Sequence, residues 1–253
     1  MARPGDEFAI RVRGVVKRFG AQTVLSGINL DVRAGETMVI MGGSGSGKST
    51  LLRVIIGSHR PEEGSVTILG RDIGGLGEEG LNEVRKKFGI LFQSGALFNS
   101  MTIAQNVALP LREHTDLDPG IIDIQVKIKL ELVGLREHAD KYPAQISGGM
   151  KKRAGLARAL ALDPKILFYD EPSAGLDPVT SAQIDQLIVA LSKQLGVTRR
   201  GRHARDGTRR SRSPTGWRCW TRGASSRSRA APGSRRCGTR AGKKPARGRS
   251  RTA

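Results

Sequence analysis

In the stretch "MGGSGSGKSTLLRVIIG", residues 41–57, Gly42, Gly47, Lys48 and Ser49 fit the spacing G-x4-G-K-[ST]. This spacing suits a phosphate chain. Glycines let backbone N–H groups wrap anionic oxygens, the lysine supplies a point charge for β- and γ-phosphates, and the serine hydroxyl can ligate Mg²⁺. Gly42, Gly43, Ser44, Gly45, Ser46, Gly47, Lys48, Ser49 and Thr50 form the candidate nucleotide-contacting set. The apolar run "ETMVI", residues 36–40, reads as a short strand feeding this loop. A helix beginning near Lys48 would add the positive end of its dipole. That strand–loop–helix context separates the stretch from a chance glycine-rich turn.

A second apolar run, "KILFYDE" at residues 165–171, reads as a buried strand ending in Asp170 and Glu171. In isolation it would be an ordinary strand end. Downstream of a phosphate loop, Asp170 is placed to hold Mg²⁺ and Glu171 to accept a proton from an attacking water. A third stretch, "SGGMKKRAGLARALALDP", predicts a helix capped by Ser147, with Ala154, Ala157, Leu160 and Ala161 on one face before Pro164. Its two leading glycines, Gly148 and Gly149, can present N–H groups to an anion, although alone this is only a capped helix.

Taken in order, these motifs resemble the ATP-binding cassette (ABC) ATPases over residues 8–198. The resemblance implies an α/β P-loop NTPase fold with a β-subdomain and a helical subdomain at about 94–160, with ATP and Mg²⁺ as ligands. It implies that Phe19, in "VVKRFGAQ", stacks on adenine; the alternative for Phe19 is a core side chain. Gln93, in "ILFQSGALF", resembles the glutamine that senses Mg²⁺ and the attacking water. "SGGM" resembles the family's signature motif, and "SAGLDP" its D-loop, with Asp177 central. In this family the signature motif closes over nucleotide held by a second subunit, so a homodimer is implied.

The segments "LFQSGALFNSMTIAQNVALPLREHT" and "ISGGMKKRAGLARAL" resemble the ATPases of the Mla/Mce lipid-trafficking systems, in which methionine ends the signature. The implied function is ATP hydrolysis that drives transport of phospholipid or another hydrophobic lipid. The implied partners are a multispanning permease, an MCE-domain lipid-binding protein and a STAS-domain subunit, with the ATPase peripheral on the cytoplasmic side of the inner membrane. The alternatives are an ABC ATPase of another import or export system, or a non-transport one with a nucleic-acid-binding tail. Such non-transport ATPases usually carry two cassettes or a long coiled-coil insertion, and this sequence has one P-loop and neither.

The formal charge of +20 would suggest a nucleic-acid partner, but it is concentrated at one end. Residues 199–253 hold 19 of the 43 lysines and arginines and one acid, Asp206, which leaves 24 basic against 22 acidic residues in 1–198. The body is therefore nearly neutral, and no nucleic-acid partner is expected. The same tail contains no Leu, Ile, Val, Met, Phe or Tyr, so it cannot bury the apolar surface that offsets ordering entropy. It is expected to lack ordered structure, leaving the C-terminal part of the fold missing. The family continues at this point with a buried strand ending in a histidine that contacts the γ-phosphate. His203, in "RRGRHARD", is not assigned that role, which puts the hydrolytic activity of the chain in question. Reading Gly207–Thr221 two bases over, with CGN arginine and TCN serine codons, permits "DSAFSIADRMAVLD", which resembles the family's missing sequence. The tail is thus expected to be an out-of-frame reading of a normal C-terminus.

Overall fold

The structure, a computed structural model, describes residues 8–41, 45–93, 95–172, 174–194, 198–201, 211–212 and 218–222. It contains two sheets. The first is antiparallel, in the order β2-β1-β4-β5, from β1 (Phe8–Phe19), β2 (Gln22–Arg33), β4 (Glu63–Ile68) and β5 (Arg71–Asp72). Ile10 and Val12 of β1 alternate into the core, but the next inward residue is Val15. The break is a bulge: the β1–β2 register shifts between Val12 and Val15, and Gly14 lies there at φ 57 with its N–H donating to Asn29 Oδ1.

The second sheet runs β6-β7-β8-β3-β10-β9, from β3 (Thr37–Met41), β6 (Phe88–Leu91), β7 (Ile166–Tyr169), β8 (Thr198–Gly201), β9 (Ser211–Arg212) and β10 (Arg218–Arg222). Strands β6, β7, β8 and β3 are mutually parallel, so their carboxyl ends share one edge. Residues at β3 and β7, 120 or more apart in sequence, are thereby brought to that edge. Parallel strands covered on both faces read as continuous apolar runs, as "TMVIM" and "ILFY" do.

Helix α1 (Lys48–Ile55) follows β3 and buries Leu51, Val54 and Ile55 against both sheets in one core with Val12, Leu25, Ile40 and Phe168. Helix α2 (Glu78–Arg85) adds Leu81 and Val84 to it. Between β6 and β7 lie α3 (Ile103–His114), α4 (Pro119–Leu132) and α5 (Gly148–Ala159), the segment in which the helical subdomain is expected. Thr102 and Gln105 form a capping box at the start of α3, and Asp118 accepts from Gly120 N before α4. Their apolar faces form a second core with Leu91, Leu167 and Ile184, Ile188 and Leu191 of α6 (Pro178–Gln194).

Three strands carry part of the basic stretch into the second sheet. β8, β9 and β10 fall within or overlap that stretch, and β8 occupies a central position: Thr198 pairs with Ile166, and Arg199 pairs with both Thr37 and Leu167. The physical reason is that a ladder is built from backbone N–H and C=O groups that every non-proline residue carries. β7 and β3 leave a slot between them that any extended segment can pair into. Other residues of the tail, His203 included, lie outside the described residues.

Candidate nucleotide site

The phosphate loop begins where β3 ends. Gly42, Gly43 and Ser44 lie outside the described residues, as does Ser173 of the D-loop-like stretch. Gly45 has φ 73, and Gly47, the N-cap of α1, has φ 85. A Cβ on Gly47 would stand 3.0 Å from both Val24 Cγ1 and Leu25 Cδ2, so glycine is required there for space as well as for conformation. No side chain caps α1, and a helix start of this kind points its N–H groups toward where an anion can sit. Lys48 is only 7% exposed, and its Nζ donates to Ser46 Oγ at 2.9 Å.

Ser49 and Asp170, 121 residues apart, meet at the carboxyl edge of the sheet: Ser49 Oγ donates to Asp170 Oδ2 at 3.4 Å. Gln93 and Asp170 line one open cleft of about 530 Å³ together with Phe92, Ala174 and Gly175. A hydroxyl, a carboxylate and an amide are hard oxygen donors and suit Mg²⁺. This mixed set is the candidate divalent-cation site. An uncapped helix start with a buried lysine fits an anion, and the neighbouring oxygens fit its cation.

Glu171 follows directly and holds φ 46, a left-handed conformation that costs a non-glycine residue about 1–3 kcal/mol. Ala174 N donates to its carbonyl at 3.1 Å. Phe19 is 46% exposed, which excludes the core alternative. Its ring meets His59 edge-on at 5.7 Å, and Lys17 Nζ lies 5.5 Å from its centroid. Phe19 closes the β1–β2 hairpin, whose Val24–Leu25 segment packs on Gly47, so the exposed ring and the phosphate loop share one end of the hairpin.

The signature-like turn makes different contacts. Ser147 Oγ accepts from Met150 N at 3.3 Å, as its N-cap reading requires. A Cβ on Gly149 would come 2.6 Å from Thr180 Cγ2, and one on Gly148 3.4 Å from Leu176 Cδ2. Asp177 caps α6, accepting at Oδ1 from Val179 N and Thr180 N at 3.0 Å. The Thr180 hydroxyl, then its N–H and that of Val179, hold the Asp177 carboxyl below the ordinary range. The "SGGM" and "SAGLDP" stretches are therefore brought together through Thr180.

Sequence reasoning missed Lys152, Arg158 and Asn106. Lys152, 5% exposed, donates from Nζ to the backbone carbonyl of Gln93. Burial pushes its ammonium pKa down, and the charge of Glu171 partly opposes this. Arg158 donates to Ala96 O at 2.8 Å and Gly95 O at 3.2 Å. Asn106, fully buried, binds Phe98 N and O, Met101 O and Thr102 O. The available signal was the position of Lys152, three and four residues before the buried Gly155 and Leu156.

Comparison with known proteins gives the following. Residues 25–174 match the family model described as ABC transporter. The probable ribonucleotide transport ATP-binding protein mkl of Mycobacterium leprae is 50% identical over 190 residues, 75% of this chain and 55% of that protein. The chain thus spans about half the length of that relative. The intermembrane phospholipid transport system ATP-binding protein MlaF is 46% identical in Haemophilus influenzae, over 75% of this chain and 72% of the relative. Its Escherichia coli K12 counterpart is 44% identical, over 75% and 70% respectively. Among solved structures, cbiO1 of Clostridium perfringens, part of the ABC transporter complex cbiONQ, has a TM-score of 0.71 at 30% identity, covering 79% of each chain. The dimeric cassette MJ0796 bound to ADP and Pi has a TM-score of 0.69 at 31% identity, over 78% of this chain and 88% of that one.

Proposed function

The chain belongs to the ABC transporter family, and from that premise we propose that it binds and hydrolyses ATP as a subunit of a transporter for phospholipid or another hydrophobic lipid. The observation that carries the catalytic part is the Ser49–Asp170 contact beside the uncapped start of α1. In this reading the phosphate-loop N–H groups and Lys48 hold the phosphate chain, and Phe19 stacks on adenine. Ser49, Asp170 and Gln93 hold Mg²⁺, which when bound neutralises charge on the phosphate oxygens. Glu171 accepts the proton of the water that attacks the γ-phosphorus as the bond to ADP breaks.

Ser147, Gly148, Gly149 and Asp177 face the nucleotide of a second copy in this reading, as the dimeric state of the similar cassette supports. No described helix is long and apolar enough to cross a membrane. A separate permease then supplies the path, with the chain peripheral on the inner face of the inner membrane, and an MCE-domain protein and a STAS-domain subunit complete the assembly. The out-of-frame origin of residues 199–253 belongs to the same reading, and sequencing the gene from the Gln194 codon to the stop tests it.

A second cargo is favoured by one observation, the 50% identity to a relative described as a ribonucleotide transporter subunit. The experiment that decides is ATP turnover by the chain reconstituted with its permease in vesicles, with labelled phospholipid and labelled ribonucleotide followed in parallel. ATP-dependent lipid movement supports the proposal. Ribonucleotide movement replaces the cargo, and the absence of Mg²⁺-dependent turnover removes the catalytic reading.

A further inference from the structure

Helix α5 starts at the signature-like turn, and its other contacts lead to the loop that carries Gln93. The cation of Lys152 is buried, and its Nζ donates to the carbonyl of Gln93 itself. Two turns on, the guanidinium of Arg158 donates to Ala96 O and Gly95 O and lies 6.0 Å from the Phe98 ring centroid. Between these two cations the backbones touch. A Cβ on Gly155 would come 2.9 Å from Gly95 O, and one on Gly95 would come 3.0 Å from Lys151 O. The loop itself is irregular, with Gly95 at φ 74 and Ala96 at φ 48. Such a segment holds one shape only when its surroundings impose it. Here the side of α5 supplies several of the contacts that impose it.

We propose that Lys152 and Arg158 are positioning residues for Gln93. They clamp the backbone at Gln93, Gly95 and Ala96 to α5, so that a shift of the signature-like turn on one end of that helix displaces Gln93 in the nucleotide cleft of the same subunit. A buried cation such as Lys152 suits this task because the carbonyl it holds replaces water it has lost, and the half-buried Arg158 adds two carbonyls further along the loop. The clamp couples two half-sites. Nucleotide that engages Ser147–Gly149 from a second subunit bears on the helix that sets the Gln93 backbone. The Mg²⁺ part of this inference rests on the role proposed above for Gln93.

The test uses the full chain with Lys152→Met, Lys152→Arg, Arg158→Lys and Gln93→Ala. Hydrogen exchange of the amides in 93–98 needs no nucleotide. Lys152→Met is expected to speed it by about tenfold or more, the scale of one hydrogen bond from a charged donor, with Lys152→Arg restoring most of the protection. Arg158→Lys, which keeps the charge but loses the fork, is expected to speed exchange at 95–98 more than at 93. The second readout is the gain in affinity for a fluorescent ATP analogue on adding Mg²⁺. Lys152→Met and Gln93→Ala are expected to lose the same fraction of that gain, and the double variant no more than either alone.

A Lys152→Met chain with lowered Tm but unchanged exchange at 93–98 and an unchanged Mg²⁺ gain overturns the clamp. If Gln93→Ala leaves the Mg²⁺ gain intact, the Mg²⁺ role of Gln93 has failed instead. The clamp is then decided by exchange alone: faster exchange in Lys152→Met upholds it, and unchanged exchange rejects it.

Discussion

Two glycine-bearing helix starts, those of α1 and α5, look alike in sequence and differ in what they leave open. Gly47 begins α1 at φ 85 with no side-chain cap, whereas Ser147 begins α5 and accepts from Met150 N. The first therefore has no side-chain cap, a buried lysine one residue in, and a hydroxyl–carboxylate pair beside it. The second satisfies one of its own donors and seats its glycines against Leu176 and Thr180. The difference teaches that a helix dipole alone does not make a complete site. α1 lies beside a cation and oxygens supplied by its own chain. α5 offers a surface to a ligand that must be brought to it.

The largest expected effect tests the chemistry on the α1 side. In the reconstituted transporter, Glu171→Gln should slow ATP turnover by about 10²–10⁴-fold while nucleotide binding persists, because only the proton acceptor is lost. Single-turnover and binding measurements separate the two, and unchanged turnover removes Glu171 from the role. Next, Lys48→Ala should weaken ATP binding by the isolated chain by about 10–100-fold, the scale of one charged hydrogen bond. Ser147→Ala, by contrast, should leave binding by the isolated chain nearly unchanged and impair only the assembled transporter. Equal losses of monomer affinity in the two variants would break the comparison between the helix starts.

A third effect concerns how α5 is held. A Cβ on Gly89 of β6 would come 2.0 Å from the carbonyl oxygen of Ala159, so Gly89→Ala must push the end of α5 off the sheet. A loss of about 1–3 kcal/mol or more is expected in urea unfolding. Loss of the Ser147 cap is smaller, about 1 kcal/mol, and should appear as a shift of the same midpoint. If Gly89→Ala is the milder of the two, α5 is not seated on β6 as described.

Much of this arrangement was legible in the sequence wherever residue type dictates chemistry or burial. The loop at 42–50 and the strands ending at Met41 and Tyr169 declare themselves, since "TMVIM" and "ILFY" suit a doubly covered sheet. Three features did not show. The bulge at Gly14 breaks a period-2 pattern for a reason visible only in the β1–β2 register. β8 fills its slot with backbone groups, which sequence patterns based on side chains cannot anticipate. The roles of Lys152 and Arg158 do not show in the sequence, because the carbonyls they hold belong to a loop about 60 residues away that only the fold brings near.

The smallest expected effect sharpens the contrast between capped and uncapped starts at a third helix. Asp177 caps α6 as Ser147 caps α5, but with a charge. The Thr180 hydroxyl, and then the N–H groups of Thr180 and Val179, favour its ionised form and hold its pKa below the unfolded value. The sign follows from linkage. A carboxyl with a depressed folded-state pKa adds stability that is fully present above the unfolded pKa and lost as pH falls through the folded one. Asp177→Asn keeps an acceptor at the cap without the charge, so it should lower the Tm slightly at neutral pH. That difference from the parent chain should shrink to nothing as the pH drops below the ordinary carboxylate range. A Tm difference that stays constant with pH would assign the Asp177 contribution to cap geometry alone and make it the equivalent of Ser147 after all.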